Sequence, residues 1–365
     1  MTIASAMARQ NEVQIVLISD MECPALNSYR GEIVRLEHES SQCDIQKLAT
    51  LAHSEKADVL HSFDANSHLI AKAASAKTGI PLVETKPGGQ PCRRTYPFAY
   101  DITVFTLQDH DLLLGHPSFR KANIHLIPNR VERPPVNTER LRLLSPHLKD
   151  DHFKFILIST LVPVKAQIFH RCLNLIDRLN GRGIKTQAII IANPHDQAVH
   201  DDVCRRMSEH SCLLTTKEYT TKAAEFIPAA DAAISMGRST MESTAFGKPV
   251  LCGARNLDIP YLLDESNIEN AIRHNFTDRA TASISESDAL NAIAKMIIST
   301  SDYQSACQFS EHVFSTYCDV EKAVPLYQDI YRTAKPAKNT FLEKERQTIA
   351  LSLLGHATKR RARPY

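Results

Sequence analysis

The stretch DAAISMGRSTMESTAFGKPVLCG, residues 231–253, carries the key to the fold. It opens on a short apolar run, Ala232–Met236, and turns at Gly237. It continues as Arg238-Ser239-Thr240-Met241-Glu242-Ser243-Thr244-Ala245, and Phe246-Gly247-Lys248 leads into a second apolar run, Pro249–Cys252. Strand, glycine turn, helix and strand in so short a span make one βαβ unit, the building block of parallel sheets with right-handed crossovers. Small residues at the helix start leave its first N–H groups accessible, a natural anion site, and Arg238 adds a fixed positive charge. Glu242, one turn in, can accept two hydroxyls of a ribose. The same residues also read as a capping box, Ser239-x-x-Glu242, in which Glu242 only satisfies the Ser239 N–H. Local sequence leaves both readings open.

The alternation extends outward on both sides. Expected strands are Val13–Ser19, Asp58–His61, Pro81–Glu84, Ile102–Thr106, Ile124–Ile127, Phe153–Ser159 and Gln187–Ala192, with the two runs above. Several are apolar throughout, as parallel strands buried on both faces are. Between them lie helical patterns such as Lys165–Leu179, with Ile168, Phe169, Cys172, Ile176 and Leu179 on one face and Gly181 and Gly183 beyond its end. The polar stretch Asn129–His152 separates two such series. The expected organisation is α/β, with parallel-sheet domains over residues 1–150 and 151–320 and a helical, basic segment over 321–365.

Open α/β sheets bind ligands beyond the C-terminal ends of their strands. Ser159-Thr160-Leu161-Val162-Pro163-Val164-Lys165 is one such strand end. A lysine at a helix start opposes the macrodipole, which a facing phosphate would explain; a mobile surface lysine explains it equally. Glu84-Thr85-Lys86-Pro87-Gly88-Gly89-Gln90-Pro91 is another: Gly88-Gly89 allows close backbone approach, with Lys86, Arg93 and Arg94 as a basic rim, or makes a tight turn only. Asp109-His110-Asp111 has paired-carboxylate spacing, yet acids also favour a helix start. His61, a strand-end histidine beside Asp64, reads either as polar chemistry or as packing. The 16 histidines contain no H-E-x-x-H and no G-x-S-x-G occurs, so zincin and serine-hydrolase readings have no support.

With 365 residues, 43% of them hydrophobic and 23% charged, the chain has the composition of a globular protein of two ordinary domains. Its net charge of +2 gives no reason to expect nucleic acid as partner. The 9 cysteines, an odd number, include no C-x-x-C pair and point to reduced thiols. MTIASAMARQNE lacks the apolar run of a signal peptide, and no stretch reaches the roughly 20 apolar residues of a membrane span. A cytoplasmic protein without a metal site is expected.

The order ADVLHSF (57–63), GIPLVETKPGG (79–89), DITVFT (101–106), NIHLIPNRVE (123–132), FILISTLVPVKA (155–166), the block 223–253 and EHVFSTYCDVEKAVPLYQDIY (311–331) resembles the GT-B glycosyltransferases of retaining family four. The resemblance runs over roughly residues 13–332. It implies two Rossmann-like domains facing a cleft and metal-free transfer of a sugar from a UDP- or GDP-sugar to a glycan or lipid-linked acceptor, as in cell-surface polysaccharide synthesis. It places Lys165 on the donor diphosphate, Glu242 on the ribose and the Thr240 and Met241 N–H groups on the phosphates. Arg238, Ser239 and Lys165 would then stabilise the departing diphosphate, with Lys86, Gly88 and Gly89 on the reacting side.

The departures are specific. Thr160 stands where the family has an arginine, Ile234 where it has the first motif glutamate, and Lys86 where it has a histidine. Ile18-Ser19-Asp20 replaces a glycine-rich loop. They leave two alternatives, a catalytically silent binding or scaffold protein and a sugar-nucleotide epimerase. At the C-terminus, a helical pattern at 341–356 with Leu342, Ile349, Leu353 and Leu354, then Lys359, Arg360, Arg361 and Arg363, suits peripheral contact with an anionic membrane, a disordered tail or a subunit contact.

Overall fold

In the computed structural model the described residues are 2–19, 26, 29–87 and 96–338. Gly88, Gly89, Arg93, Arg94 and the basic tail lie outside them. The chain divides into two compact units, one of Met1–Pro128 with the segment from Val320 onward, the other of Asn129–Asp319.

In the first unit β1 (Gln14–Ile18) and β2 (Glu32–Leu36) form a parallel pair. The strands β3 (Leu60–Phe63), β4 (Leu82–Lys86), β5 (Asp101–Val104) and β6 (Asn123–Leu126) form a parallel sheet in that order. Every residue of β4 and β5 is buried, as strands covered on both faces must be. Two helices follow, Ser41–Ser54 and Ala65–Thr78, each started by a side-chain cap, Ser40 and Asp64. The helices Thr2–Met7 and Val324–Thr333 meet here, because Ala6 and Met7 share an apolar cluster with Val83, Ile127, Val324, Tyr327 and Ile330.

The second unit holds β7 (Phe153–Leu161), β8 (Thr186–Pro194), β9 (Ser211–Leu214), β10 (Ala232–Ser235), β11 (Val250–Cys252) and β12 (Tyr261–Leu262). The sheet order is β12-β11-β10-β7-β8-β9, parallel except where β12 runs against β11. Side-chain alternation divides the core. Phe155, Leu157, Ala188, Ile190 and Ile234 pack with Ile168, Phe169 and Cys172 of the helix Ala166–Gly181, while Ile156, Ile189, Ile191 and Ala233 pack with Leu144 and Phe226 on the other face. Such a sheet is doubly wound, and its β-branched runs are the signature the sequence carried.

The units divide earlier than the expected boundary at 150. Residues 129–150 side with the second unit because Leu144, at the end of the helix Thr138–Leu144, is fully buried against Ile156 and Phe226, and Arg140 pairs with Glu225 at 3.0 Å. The segment from Val320 onward is not a separate piece: through residue 338 it completes the first unit, with Val320 and Ala323 in the same cluster as Val324 and Tyr327. Among the described residues no helix is long and apolar enough to cross a membrane.

Candidate functional site

The order of the second sheet marks its ligand position. From β7 the chain runs outward to β8 and β9, then crosses back to lay β10 along the other side of β7. The loops leaving β7 and β10 therefore diverge at the strand ends, the switch point at which doubly wound sheets bind ligands. Both second-unit motifs singled out from sequence lie on these two loops.

After β7, Val162 leads into a single tight turn, Pro163–Lys165, and Lys165 is the N-cap of the helix Ala166–Gly181. Its side chain folds back along the turn, so that Nζ donates to Thr160 Oγ1 at 2.9 Å. Among the described residues no carboxylate forms an ion pair with Lys165. Partial burial without a compensating acid pushes its ammonium below the usual lysine pKa. Thr160, where the family has arginine, is thus a hydrogen-bond acceptor for Lys165.

After β10 the helix Arg238–Ala245 starts from Gly237, whose φ of 62° and ψ of −123° suit glycine alone. Gly237 N–H donates to Phe276 O at 2.8 Å, which fixes the turn from outside the helix. With the cap at Gly237, Ser239 is already helical, and its hydroxyl donates to Met236 O at 3.1 Å. The capping-box reading therefore fails. Glu242 instead accepts from Arg238 Nε at 2.7 Å, one turn earlier, with the Arg238 side chain 55% exposed and that of Glu242 17%.

One expectation changes here. The Thr240 N–H is occupied by Gly237 O at 3.2 Å, and its hydroxyl pairs with Ser235 Oγ at 2.9 Å, so Thr240, fully buried, supports the turn. Met241 is buried too, with its side chain in the core. Ile234 lies fully buried mid-strand with Leu157 and Ile190, where an ionised carboxylate would lose its hydration.

The first unit has a different character. Lys86, expected on a basic rim, is buried at the end of β4, and its Nζ lies 3.1 Å from Asp109 Oδ2 and donates to Pro87 O at 3.0 Å. Asp109 belongs to the first turn of the helix Leu107–Leu114, capped by Thr106, whose hydroxyl also donates to Oδ2 at 2.9 Å. Asp111 is exposed where Asp109 is buried, and among the described residues no group of three or more His, Cys, Asp or Glu could hold a metal ion. Beside Lys86, the buried Glu84 accepts from Ser62 and Tyr96 and lies 3.1 Å from His68 Nδ1. His61 is held between Tyr331 OH and Thr85 Oγ1, each at 2.7 Å, and burial pulls its imidazole down to about 3.

Sequence reasoning missed Asp109 as the partner of Lys86, Tyr331 as the partner of His61, and Phe276 as the carbonyl behind Gly237. Each joins residues far apart in the chain, and no local pattern carries such a pairing.

No protein-family model matches the chain, and no curated protein is similar to it. Solved structures are. A glycosyltransferase from Rickettsia africae superimposes with a TM-score of 0.70 at 11% identity, over 91% of this chain and 93% of that one. HepE from Anabaena, solved with UDP and glucose, gives 0.63 at 13% identity, over 91% and 94%. The fold is GT-B. A UDP-GlcNAc 2-epimerase from Neisseria meningitidis, bound to UDP-GlcNAc, gives 0.58 at 13% identity, over 91% and 95%. In GT-B terms, the doubly wound unit Asn129–Asp319 is the C-terminal Rossmann-like domain, and Lys165 and Arg238 follow its adjacent strands β7 and β10.

Proposed function

We propose that the second unit binds a nucleoside diphosphate sugar and that the protein transfers the sugar to an acceptor hydroxyl. One observation carries this reading: an ammonium with no carboxylate partner among the described residues and a glycine-started helix follow adjacent parallel strands at the switch point of a doubly wound sheet. In that arrangement Lys165 neutralises the diphosphate. The start of the helix Arg238–Ala245 and the Arg238 guanidinium add to it, and Glu242 accepts the ribose hydroxyls. Charge accumulates on the departing diphosphate as the glycosidic bond breaks, so cations held in place before reaction favour the transition state over the ground state. Neighbours of the same fold hold such ligands, UDP with glucose in HepE and UDP-GlcNAc in the Neisseria epimerase. Retention at the anomeric carbon, a UDP or GDP donor and a glycan or lipid-linked acceptor belong to the same proposal and rest on the family resemblance.

The epimerase reading has the Neisseria structure in its favour and differs in product. Incubation with a panel of UDP- and GDP-sugars separates the readings. Release of nucleoside diphosphate with a sugar gained by acceptor or water supports transfer. An isomerised donor of unchanged mass supports epimerisation. Binding without either product leaves a silent binding protein, and no binding to any member of the panel overturns the proposal.

A further inference from the structure

We infer that Thr160 is a positioning residue for anion binding, holding the Lys165 ammonium in the attitude in which it meets the diphosphate; the inference rests on the nucleotide reading above. Lysine carries four rotatable side-chain bonds and about 2 kcal/mol of rotamer entropy, so a lone ammonium at a strand end is poorly aimed unless something holds it. In this chain the holding group is a neutral hydroxyl. Thr160 is the penultimate residue of β7, in register with Asn193 of β8, so its backbone is fixed by the sheet. The turn Pro163–Lys165, closed by Lys165 N–H to Val162 O at 2.9 Å, returns the lysine stem over the strand end, and Nζ reaches Thr160 Oγ1 at 2.9 Å.

The chemistry of that partner matters. A carboxylate in its place would neutralise the ammonium and compete with a phosphate, as Asp109 does for Lys86. A hydroxyl accepts one of the three N–H bonds, leaves the full positive charge, and leaves two N–H donors for oxygens of a ligand. β-Branching at Thr160 restricts χ1, which keeps Oγ1 in one place. The stretch Leu161-Val162-Pro163-Val164 between the two residues is short and contains proline, which limits the other ways the lysine stem can be set.

The test is titration calorimetry of the full chain with UDP and with GDP, using Thr160→Val, Thr160→Ser, Lys165→Ala and the double variant Thr160→Val/Lys165→Ala. Thr160→Val keeps the shape and removes the acceptor, and it should weaken binding about fivefold to tenfold, the worth of one ordinary hydrogen bond. Thr160→Ser restores the hydroxyl and should bind within about twofold of the parent protein. In the Lys165→Ala background Thr160→Val should change nothing further, because the hydroxyl acts through the ammonium. If Lys165→Ala impairs binding while Thr160→Val binds as the parent does, the positioning role is overturned and the nucleotide reading stands. Equal losses in Thr160→Val and Thr160→Ser also overturn it, by assigning the effect to packing at the strand end. If Lys165→Ala binds as well as the parent, the nucleotide reading itself fails. Should Thr160→Val not fold, Thr160→Ala makes the same comparison.

Discussion

Lys86 and Lys165 each stand at the C-terminal end of a parallel strand, β4 in one unit and β7 in the other, yet their surroundings differ in kind. The Lys86 side chain is 7% exposed and lies against Asp109, itself 3% exposed, in a site that also takes up Pro87 O and Thr106 Oγ1. Glu84, His68, Ser62 and Tyr96 close a second network beside it, and His61 a third. These polar groups satisfy one another, which is what burial demands of them. Lys165 is half-buried and, among the described residues, is answered only by a neutral hydroxyl. A charge carried partly out of water without a counter-charge is costly in the free protein, and that cost is recovered when an anion arrives. Titratable groups can therefore stiffen one strand end and leave another open to a ligand; the local sequence Val164-Lys165 or Thr85-Lys86 does not say which.

The sharpest way to break the comparison is to remove the counter-charge in the first unit. Asp109→Ala leaves the buried Lys86 ammonium without its carboxylate, and breaking such a pair from one side costs about 3–5 kcal/mol. Chemical denaturation should show a loss of that order, with much of it restored by adding Lys86→Met, which removes the stranded charge. A loss below about 1 kcal/mol would mean that Lys86 reaches water or another acceptor when Asp109 is gone, and the contrast with Lys165 would collapse.

Lys165→Ala is the complementary experiment. Here stability should change little, since no carboxylate is stranded, while affinity for the nucleoside diphosphate should fall by roughly 1.5–3 kcal/mol, the range for hydrogen bonds to charged groups. Calorimetry and a thermal melt of the same variant decide it: a stability loss with unchanged affinity reverses the roles assigned to the two lysines.

The first unit should also respond to acid through His61. Its imidazole, pulled down to about 3 by burial, stays neutral in the folded protein well below the unfolded value of about 6.5. The unfolded chain then binds the extra proton, so the stability contributed by neutral burial is complete above about pH 6.5 and is lost as pH falls toward 3. Between pH 6.5 and 5 the loss is about 2 kcal/mol. Denaturation midpoints followed over that range should slope less in His61→Gln than in the parent, and identical slopes would remove His61 from the account.

Sequence reading found β1, β3, β4, β5 and β6 in the first unit and β7, β8, β10 and β11 in the second, among which β4, β5, β10 and β11 are buried at every residue. Those it missed have local reasons. Glu32 and Arg35 interrupt the apolar pattern of β2, β9 is a four-residue strand at the sheet edge, and β12 is a two-residue edge pairing. The helix Thr2–Met7 is too short to hold by propensity and is fixed by contacts with the far end of the chain. The same long-range contacts explain why the return of the segment from Val320 to the first unit was not legible. In the candidate site, residue types and spacing pointed to the two strand ends, but the partner of each charge depended on tertiary register. Thr160 answers Lys165 across a turn, whereas Asp109 reaches Lys86 from the next helix but one strand away.

Glu242 offers the finest division between a structural and a ligand role, because its visible partner is weak. The Arg238–Glu242 pair is separated by one helical turn and its arginine is largely exposed, a geometry worth only about 0.3–0.5 kcal/mol. Glu242→Gln keeps the length and one acceptor oxygen and gives up the negative charge, so it should cost no more than those few tenths in stability. The capping role, in which glutamine would have served as well, is already excluded by Gly237 at the N-cap. A ribose hydroxyl donating to a carboxylate makes a charge-assisted bond, about twice as strong as one to an amide, so affinity for UDP or GDP should fall by about 1 kcal/mol. The comparison to make is with the free diphosphate group: pyrophosphate has no ribose, and its affinity should be unchanged or slightly higher once the carboxylate near Arg238 is neutralised. An equal loss for the nucleotide and for pyrophosphate would assign Glu242 to holding Arg238 in place, and no loss for either would leave it a surface pair on the first turns of the helix.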